Sequence, residues 1–469
     1  MRFVSCIIVS LVLAAPVALA ERVVPRAFSD VQLSFAPLVD RVSPAVVNVY
    51  TRKLVTERMT SPLMTDPFWQ RFFGNQFPGG FGRERRRIQN SLGSGVIVSG
   101  DGLIVTNHHV IKGADEITVA LKDRREFDAE ILVSDQRTDL AVLRIDTQNA
   151  DLPYLVLADS DQVFVGDSVM AIGNPFGVGQ SVSVGIVSAL ARTQVSDSDV
   201  GYFIQTDAAI NLGNSGGALV DMTGALVGIN TAIFTQSGGS NGIGFAIPAN
   251  MVSTFLRVAQ SDDRILRRPW LGISEQVVTV DIAEGLGMDR PRGILVSGIV
   301  PDSPADDAGL KDGDVIVAVD GREVFDLPSM NYRLITRPMG GSVTLSILRA
   351  GRELTRSLKI RPAPENPPRR VTELARDTPL MGITVANMSP AFNEKLGLDL
   401  NERGVIVLEV PGRSDARRLG VRPGDRILSI NDRTISAVRD LEPALLAAGT
   451  RWSIGLSDGT KRRTLRVRR

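Results

Sequence analysis

Residues 95–110 read Gly-Val-Ile-Val-Ser-Gly-Asp-Gly-Leu-Ile-Val-Thr-Asn-His-His-Val, two short apolar runs on either side of a Ser-Gly-Asp-Gly segment. Gly and Asp accept the positive φ angles that tight turns need, so the pattern predicts a β-hairpin. Further apolar runs follow at 117–121, 140–143, 168–172 and 225–229, each bounded by Gly, Asp or Asn. Many short strands at this spacing, without alternating long helices, predict an all-β barrel or sandwich.

The C-terminal half of the chain contains an internal repeat. At a constant offset of 111 residues, matching positions recur without a gap: Gly293 with Gly404, Ser303 with Ser414, Gly309 with Gly420, and Gly313-Asp314 with Gly424-Asp425. A period this long indicates two tandem domains, because solenoid repeats are only about 20–50 residues long. A charged segment at 261–268 precedes the first repeat, and a Pro-rich segment at 361–368 separates the two. We therefore expect domains at 264–361 and 372–469.

The first twenty residues have the pattern of a secretory signal peptide. Arg2 precedes an apolar run over 3–15, and Ala18-Leu19-Ala20 is a small-x-small cleavage site. The run is shorter than the roughly 20 apolar residues that cross a bilayer, so we expect cleavage and no stable membrane anchor. The alternative is an uncleaved anchor. Removal of residues 1–20 would also remove Cys6, the only cysteine, which suits a bacterial export compartment such as the periplasm.

Composition excludes several classes of protein. The 469 residues include 53 Lys and Arg against 52 Asp and Glu, a net charge of +1. This balance excludes the basic field that neutralises phosphates, so we expect no nucleic-acid partner. Hydrophobic residues at 43% and charged residues at 22% indicate a globular protein. Two His and one Cys exclude a multi-cysteine zinc site, and we expect neither a metal nor another cofactor.

Residues 58–91 differ from the strand-rich sequence on either side. They contain six aromatic side chains among Gly, Arg and Gln: Phe68, Trp69, Phe72, Phe73, Phe77 and Phe81. We interpret the segment as a long loop insertion. Its aromatic residues indicate either a contact surface for another molecule or packing of the loop on its own domain.

The segment Gly213-Asn214-Ser215-Gly216-Gly217 has the clearest catalytic pattern. Residues without a β-branch let the backbone turn tightly around one Ser, so that successive N–H groups converge on a point where an oxyanion can form. The string also matches the Gly-x-Ser-x-Gly of α/β-hydrolases, in which the His follows the Ser. Here both His residues, His108 and His109, precede Ser215. The order His, Asp, Ser is that of chymotrypsin-type enzymes.

A serine nucleophile needs a base and a carboxylate that orients the base. His108 and His109 are the only imidazoles in the chain, and adjacent side chains point in different directions, so we expect one of them to serve. Asp139 leads directly into the apolar run 140–143, where an unpartnered carboxylate would be costly. Asp135 is the alternative, but its polar neighbours indicate a solvated turn. The residues alone favour Asp139.

These three segments together resemble the HtrA (DegP-type) family of trypsin-fold serine proteases. The matching strings are Thr106-Asn107-His108-His109-Val110, Thr138-Asp139-Leu140-Ala141 and Gly213-Asn214-Ser215-Gly216-Gly217-Ala218-Leu219. Leu212 stands where the family often has Pro. The resemblance covers the chain from about residue 35 to its C-terminus. It implies a mainly β protein, with a trypsin-like double β-barrel protease domain at 21–260 followed by two PDZ domains.

The resemblance also implies a role for each residue of the candidate site. His109 would be the general base, with His108 in the variable position of the motif. Asp139 would orient His109, and Ser215 would attack the scissile carbonyl. The oxyanion hole would consist of backbone N–H groups of the turn Gly213, Asn214 and Ser215, chiefly those of Gly213 and Ser215. The S1 pocket would be lined by Ile210 and Ile233.

The two repeats resemble PDZ domains, which bind the C-termini of peptides. The carboxylate-binding loops would be Leu271-Gly272-Ile273 in the first and Met381-Gly382-Ile383 in the second. The insertion at 58–91 is similar to the LA loop of the family, which contacts neighbouring subunits. The resemblance therefore implies homotrimers or multiples of trimers.

We expect an ATP-independent periplasmic serine endopeptidase that degrades unfolded or damaged proteins and binds peptide C-termini. Two other functions fit parts of the same sequence. One is a chaperone or peptide-binding scaffold in which proteolysis is secondary. The other is a membrane-tethered stress sensor, although such proteins usually carry one PDZ domain and no cleavable signal peptide.

Overall fold

The computed structural model describes residues 34–56, 86–148, 150–174, 179–192, 201–211, 213–233 and 241–468. Helix α1 spans Ala36–Val42 and is followed by a short 3-10 helix over Ser43–Ala45. The predicted signal peptide and residues 58–85 of the predicted insertion lie outside the described residues. Residues 86–91, which we assigned to the insertion, belong instead to a β-strand that pairs with its neighbour over their whole length.

Six strands form a first closed barrel in the order β1-β2-β3-β6-β5-β4. Their bounds are β1 Val46–Thr56, β2 Arg86–Ile97, β3 Leu103–Thr106, β4 Glu116–Ala120, β5 Glu126–Asp135 and β6 Leu140–Ile145. The predicted hairpin is β2–β3, with its turn at 99–102. All four residues of β3 are buried, and the one-turn helix α2, His108–Ile111, follows it directly.

A second closed barrel has the order β10-β11-β12-β9-β8-β7. Its strands are β7 Ser168–Gly173, β8 Ser181–Arg192, β9 Phe203–Thr206, β10 Ala218–Asp221, β11 Leu226–Ile233 and β12 Gly244–Pro248. Helix α3, Ala249–Ala259, follows β12 directly and buries an apolar face that includes Phe255. One hydrophobic core runs across both barrels and α3, which makes the barrels a single packed unit.

The first repeat domain is a separate antiparallel sheet in the order β13-β14-β15-β17-β18, with β16 beside β15. Its strands are β13 Ile273–Val277, β14 Ile294–Ile299, β15 Val315–Val319, β16 Arg322–Glu323, β17 Ser342–Arg349 and β18 Arg352–Lys359. Its helices are α4 Val280–Gly285, α5 Pro304–Asp307 and α6 Leu327–Ile335. The domain has its own core, in which Met330 and Leu334 of α6 cover the sheet.

The second repeat domain has the same plan with one additional edge strand, in the order β19-β20-β21-β22-β24-β25, with β23 beside β22. Its strands are β19 Thr372–Glu373, β20 Thr384–Met388, β21 Gly404–Glu409, β22 Arg426–Ile430, β23 Arg433–Thr434, β24 Arg451–Ser457 and β25 Arg462–Arg468. Its helices are α7 Pro390–Leu396, α8 Asp415–Arg418 and α9 Val438–Ala447. The internal repeat of the sequence therefore corresponds to two similar domains.

Helix α6 of the first repeat domain packs against the barrels. The rings of Tyr332 on α6 and Tyr202 before β9 are stacked, with centroids 4.0 Å apart and planes 4° from parallel. Arg333 donates to the Tyr202 hydroxyl at 3.0 Å and forms a largely buried ion pair with Asp161. An aromatic stack backed by a buried ion pair holds this domain in a defined position.

Candidate active site

His109 and Asp139 form a direct pair. His109 Nδ1 lies 2.8 Å from Asp139 Oδ2 and 2.9 Å from Oδ1, and the His109 backbone N–H donates to Oδ1 at 3.0 Å. Strand register explains this pairing, because Thr106 at the end of β3 pairs with Ala141 near the start of β6. The residue that leads into β6 therefore meets helix α2, which follows β3.

Backbone contacts fix the position of Asp139. Its φ is +55°, an uncommon angle for a residue other than Gly, and its carbonyl oxygen accepts from Asn107 Nδ2 at 3.0 Å and from the His108 N–H at 3.1 Å. Burial tends to raise the pKa of Asp139, but His109 and the hydrogen bonds from His109 and Thr231 outweigh burial, so that the pKa lies below its usual value. The carboxyl group is therefore ionised at neutral pH and can stabilise an imidazolium.

The alternative carboxylate, Asp135, has structural partners. It accepts from the N–H and the hydroxyl of Thr138 at 2.9 and 3.0 Å, and from Arg268 Nη2 at 2.9 Å. Its side chain is only 18% exposed, so our expectation of a solvated turn residue was wrong. Asp135 closes the turn that ends in Asp139, which leaves Asp139 as the carboxylate at His109.

His108 has a different environment from His109. Its Nδ1 lies 2.7 Å from Ser134 Oγ on β5. Burial lowers the pKa of His108, even though Asp139 and Asp135 act in the opposite direction. His108 is therefore held as a neutral ring against β5, while His109 makes the contact with the Asp139 carboxylate.

Thr231 joins Ser215 to the His109–Asp139 pair. The Ser215 hydroxyl donates to the Thr231 carbonyl oxygen at 3.1 Å, and the Thr231 hydroxyl donates to Asp139 Oδ2 at 2.6 Å. Thr231 is a buried residue of β11 in the second barrel, whereas Asp139 belongs to the first. The structure thus connects Ser215 with the His109–Asp139 pair at the contact between the barrels, although His109 and Ser215 are more than a hundred positions apart in the sequence.

The turn that holds Ser215 has two residues with positive φ, Gly213 at +97° and Gly216 at +83°. A Cβ on Gly216 would lie 2.1 Å from the Ser94 carbonyl oxygen and 2.5 Å from Thr106 Oγ1, so only Gly fits there. Ser94 on β2 also donates its hydroxyl to the Gly213 carbonyl at 2.7 Å and its N–H to the Ser215 carbonyl at 2.9 Å. The turn is therefore fastened to the first barrel.

The predicted oxyanion hole needs one correction. The N–H of Asn214 donates to the Asn211 carbonyl at 3.0 Å, inside the turn. The Asn214 side chain is buried and lies against Gly173, where a Cβ would be 2.6 Å away. Because its N–H group is engaged, Asn214 shapes the turn, and Gly213 and Ser215 remain the candidate donors to an oxyanion.

The predicted S1 residues lie on neighbouring parts of the second barrel. Ile210 is buried against Gly244 of β12, where a Cβ would lie 2.7 Å from Ile210 Cδ1. Ile233 pairs with Gly244 in the strand register, although its side chain is outside the described part of the structure. The nearest acid before Ser215, Asp207, is exposed and accepts from the Ile186 N–H on β8 at 2.7 Å. Asp207 is thus engaged with β8.

The loop Leu271–Ile273 has the tight backbone expected of a carboxylate-binding loop. Gly272 has a φ of +74°, and a Cβ on it would lie 2.2 Å from Ser303 Cβ. Leu271 and Ile273 on either side are buried in the core of the first repeat domain. Strand β13 begins at Ile273 and lies at the edge of its sheet, next to β14 alone among the described strands.

The corresponding loop of the second repeat domain is not open. Its N–H groups are used internally: Met381 donates to the Thr378 carbonyl at 3.0 Å, and Gly382 donates to the Leu374 carbonyl at 2.7 Å. Leu374 in turn donates to the Ile383 carbonyl at 3.0 Å, and β19 pairs with the edge of β20. The chain itself thus occupies the place of a peptide, and our expectation of an open carboxylate-binding loop at Met381–Ile383 is corrected.

Sequence reasoning did not identify Thr231 or Ser94. Both are buried polar residues of β-strands, and a buried hydroxyl must find a partner. A buried hydroxyl therefore indicates that each residue makes a specific contact. It does not show which residue is contacted, because the partners are up to 119 positions away in the chain.

No group of three His, Cys, Asp or Glu side chains among the described residues could hold a metal ion. Among the same residues, no helix is long and apolar enough to cross a membrane.

Two barrels that meet at a Ser, a His–Asp pair and a Gly-rich turn define a trypsin-like serine protease. A family model described as trypsin-like peptidase domain matches residues 93–229, and a PDZ domain model matches residues 269–360 and 379–468. The two repeat domains are accordingly called PDZ1 and PDZ2 below.

Similar proteins identify the family. The chain is 39% identical over 415 residues to a probable periplasmic serine endoprotease, DegP-like, of Marinomonas sp. (strain MWYL1), covering 87% of each chain. It is 36% identical over 432 residues to the periplasmic serine endoprotease DegP of Salmonella typhimurium, covering 88% of this chain and 87% of that one. A solved structure of the HtrA-type protease AlgW with a decapeptide aligns with a TM-score of 0.52 at 44% identity, covering 71% of this chain and 99% of that one. The protein belongs to the DegP-like (HtrA-type) family of serine endoproteases.

Proposed function

We propose that Ser215, His109 and Asp139 are the catalytic triad of this endopeptidase. Ser215 attacks the scissile carbonyl, while His109 takes the proton from the hydroxyl and returns it to the leaving amine. Asp139 fixes the tautomer of His109 and stabilises the imidazolium. The observation that carries the assignment is the hydrogen-bonded chain from His109 through Asp139 and Thr231 to Ser215.

The Gly-rich turn would provide the oxyanion hole. The backbone N–H groups of Gly213 and Ser215 stabilise the negative charge that forms on the scissile oxygen, as fixed donors do in acyl-transfer enzymes. The contacts of Ser94 with this turn support the assignment, because a fixed turn needs no reorganisation when the charge develops.

Removal of the nucleophile tests the triad directly. Ser215→Ala is expected to lower turnover by about a millionfold, since the loss of a triad nucleophile has this effect in related chemistry. Cleavage of unfolded casein should be measured alongside thermal unfolding and peptide binding, both of which should be unchanged. Casein cleavage at the wild-type rate by a clean Ser215→Ala preparation would exclude Ser215 as the nucleophile.

The substrates we propose are unfolded or damaged polypeptides, cut after small aliphatic residues. An S1 pocket lined by Ile210 and Ile233 has no charge to pair Lys or Arg. The engagement of Asp207 with the Ile186 N–H supports this view of the pocket. PDZ1 would bind peptide C-termini at Leu271–Ile273, in keeping with the decapeptide present in the solved structure of AlgW.

We further propose that the protein is exported to the periplasm after cleavage of residues 1–20, and that it assembles as trimers or their multiples. Relatives described as periplasmic support the location. The domains would be the protease at 21–260 and the PDZ domains at 264–361 and 372–469. N-terminal sequencing of protein from the periplasmic fraction should give Glu21 as the first residue.

A further inference from the structure

The outer edge of β13 presents a hydrogen-bond acceptor to an incoming peptide. Gly272 directs its carbonyl oxygen towards the Val300 N–H on the β14 side, at 2.7 Å. Backbone groups of successive strand residues point to opposite sides, so the Ile273 carbonyl faces the outer edge. A peptide that adds to β13 as a strand would donate an N–H to this oxygen.

In the structure a residue of PDZ2 already uses this acceptor. The side-chain amide of Asn401 donates to the Ile273 carbonyl oxygen, and its Oδ1 accepts from the Trp270 indole N–H at 3.3 Å. Asn401 thus contacts both ends of the segment that contains Leu271–Ile273.

The loop that carries Asn401 is built for this contact. Asn393 of α7 is fully buried and donates its two amide hydrogens to the carbonyls of Asp399 and Glu402, each at 2.9 Å. The Asp399 carboxylate accepts from the Asn401 N–H at 2.8 Å. The loop is therefore held by its own domain in the conformation that presents Asn401 to PDZ1.

A second contact fixes the same part of PDZ2 beside PDZ1. Glu394 on α7 accepts from the Arg268 backbone N–H at 3.1 Å, two residues before Trp270. The Arg268 side chain lies 3.8 Å from Glu394 and 2.9 Å from Asp135 of the protease domain. These three charged side chains are each less than 20% exposed, so the contact is desolvated and specific.

We propose that PDZ2 is an intramolecular cover of PDZ1 and not a second peptide receptor. Asn401 makes the hydrogen bond that a bound peptide would make, while the peptide edge of PDZ2 is closed by residues 372–374. A peptide C-terminus must displace the loop 398–403 before it can pair with β13. The inference rests on the proposed role of Leu271–Ile273 in binding peptide C-termini.

The cover lowers the apparent affinity of PDZ1 for a peptide, because only the molecules in which the cover is open can bind. Loss of the Asn401 contacts should increase the fraction of open molecules by the effect of about one net hydrogen bond. We therefore expect peptide affinity to rise about three- to tenfold. Asn401→Ala is the variant, in the full-length chain with Ser215→Ala to prevent cleavage. Thr464→Ala, at an exposed position on β25 of PDZ2, is the control.

The probe is a fluorescein-labelled decapeptide with an apolar C-terminal residue, and its binding is followed by fluorescence anisotropy. The same peptide with an amidated C-terminus reports whether binding depends on the carboxylate. Tighter carboxylate-dependent binding to Asn401→Ala, with Thr464→Ala unchanged from the parent, is the expected result. Equal carboxylate-dependent binding to all three proteins would overturn the cover while leaving the peptide role of PDZ1 intact.

The absence of carboxylate-dependent binding to every variant would instead overturn the proposed role of Leu271–Ile273, and the cover with it. Hydrogen exchange provides a measurement that needs no substitution at Asn401. On addition of the decapeptide to the Ser215→Ala protein, backbone amides of residues 398–403 should exchange faster. Unchanged or slower exchange at saturating peptide would show that the loop is not displaced, and the cover would be wrong.

Discussion

The hydroxyl of Thr231 donates a hydrogen bond of 2.6 Å to the carboxylate of Asp139. This bond crosses between the two barrels, because Thr231 lies on β11 and Asp139 precedes β6. The carbonyl of the same threonine accepts from Ser215. One residue outside the proposed triad therefore sets the distance between the nucleophile and the carboxylate.

Substitution of Thr231 tests this positioning role. Thr231→Val removes the hydroxyl at nearly constant volume, and we expect kcat to fall about 10- to 100-fold with little change in KM, because small misplacements in an active site have effects of this size. Thr231→Ser keeps the hydroxyl and should stay close to wild type. Kinetics with a chromogenic peptide would separate kcat from KM. Full turnover by a folded Thr231→Val protein would contradict the role.

The two adjacent histidines should respond differently to substitution. His109→Asn removes the imidazole that contacts Asp139 and should abolish casein cleavage. His108→Asn should keep most of the activity, since the ring of His108 contacts Ser134 on β5. Initial rates of both variants, with circular dichroism as the check on folding, decide the matter. Equal losses would mean that the base has been assigned to the wrong residue.

Cleavage should occur after Val, Ile or Ala and rarely after Lys or Arg. An apolar pocket separates aliphatic side chains by only about 1–3 kcal/mol per methylene, so the preference should be broad. A substrate ammonium buried there without a partner would cost several kcal/mol. Mass-spectrometric mapping of cuts in an unfolded protein gives the distribution. A majority of cuts after basic residues would show that an acid reaches the pocket.

A shortened chain that ends at residue 260 should still form trimers. The reason is the aromatic insertion, whose residues 58–85 lie between β1 and β2 in the sequence of the protease domain and resemble a subunit-contact loop. Analytical ultracentrifugation at micromolar concentration would measure the mass, with the full-length chain beside it. A monomer for the shortened chain alongside an assembled full-length protein would place the trimer contacts in the PDZ domains instead.

Peptide binding to PDZ1 should strengthen as the pH rises through neutrality. Burial, together with repulsion by Asp399 of PDZ2, raises the pKa of Glu275 on β13 to about 7. A raised pKa means that the contact between the two domains is most favourable with Glu275 protonated and weakens as the pH rises through about 7. Glu275 is an exposed residue whose charge is screened by solvent, so we expect the peptide affinity to change only about two- to threefold.

Anisotropy titrations at pH 6 and pH 8 measure this effect, with Glu275→Gln as the variant that cannot titrate. The Gln variant should bind the peptide equally at both values. A wild-type affinity that is constant or falls over this interval would contradict the expected direction.

Local signals in the sequence predicted the short strands, the internal repeat and the candidate Ser and His residues, whereas the double barrel was expected only from the family resemblance. The turn at 99–102 and the turn around Ser215 both need residues that tolerate the backbone angles of a tight turn. Gly residues in the sequence show where such turns can form. The choice between Asp139 and Asp135 needed the register of β3 and β6, and the position of Thr231 needed the contact between the barrels. A local sequence pattern could predict neither the choice of Asp139 nor the role of Thr231, because both depend on contacts with residues distant in the chain.

The second PDZ loop shows the same limit more sharply. The sequence Met381-Gly382-Ile383 has the positive-φ Gly of its counterpart, with a φ of +82°. What distinguishes it is the pairing of Leu374 with Ile383, which the chain reaches only after the Pro-rich segment 361–368. Two similar motifs therefore differ in whether a peptide can pair with them, because Leu374 already pairs with the second one.

Arg268 lies where all three folded units meet, since it contacts Asp135 of the protease domain and Glu394 of PDZ2 and leads into PDZ1. The stacked pair of Tyr332 and Tyr202 also joins PDZ1 to the protease domain. A cut in the exposed stretch 261–265 would therefore sever the chain while the fragments stayed together. A nicked molecule would then keep its two PDZ domains attached to the protease domain through non-covalent contacts alone.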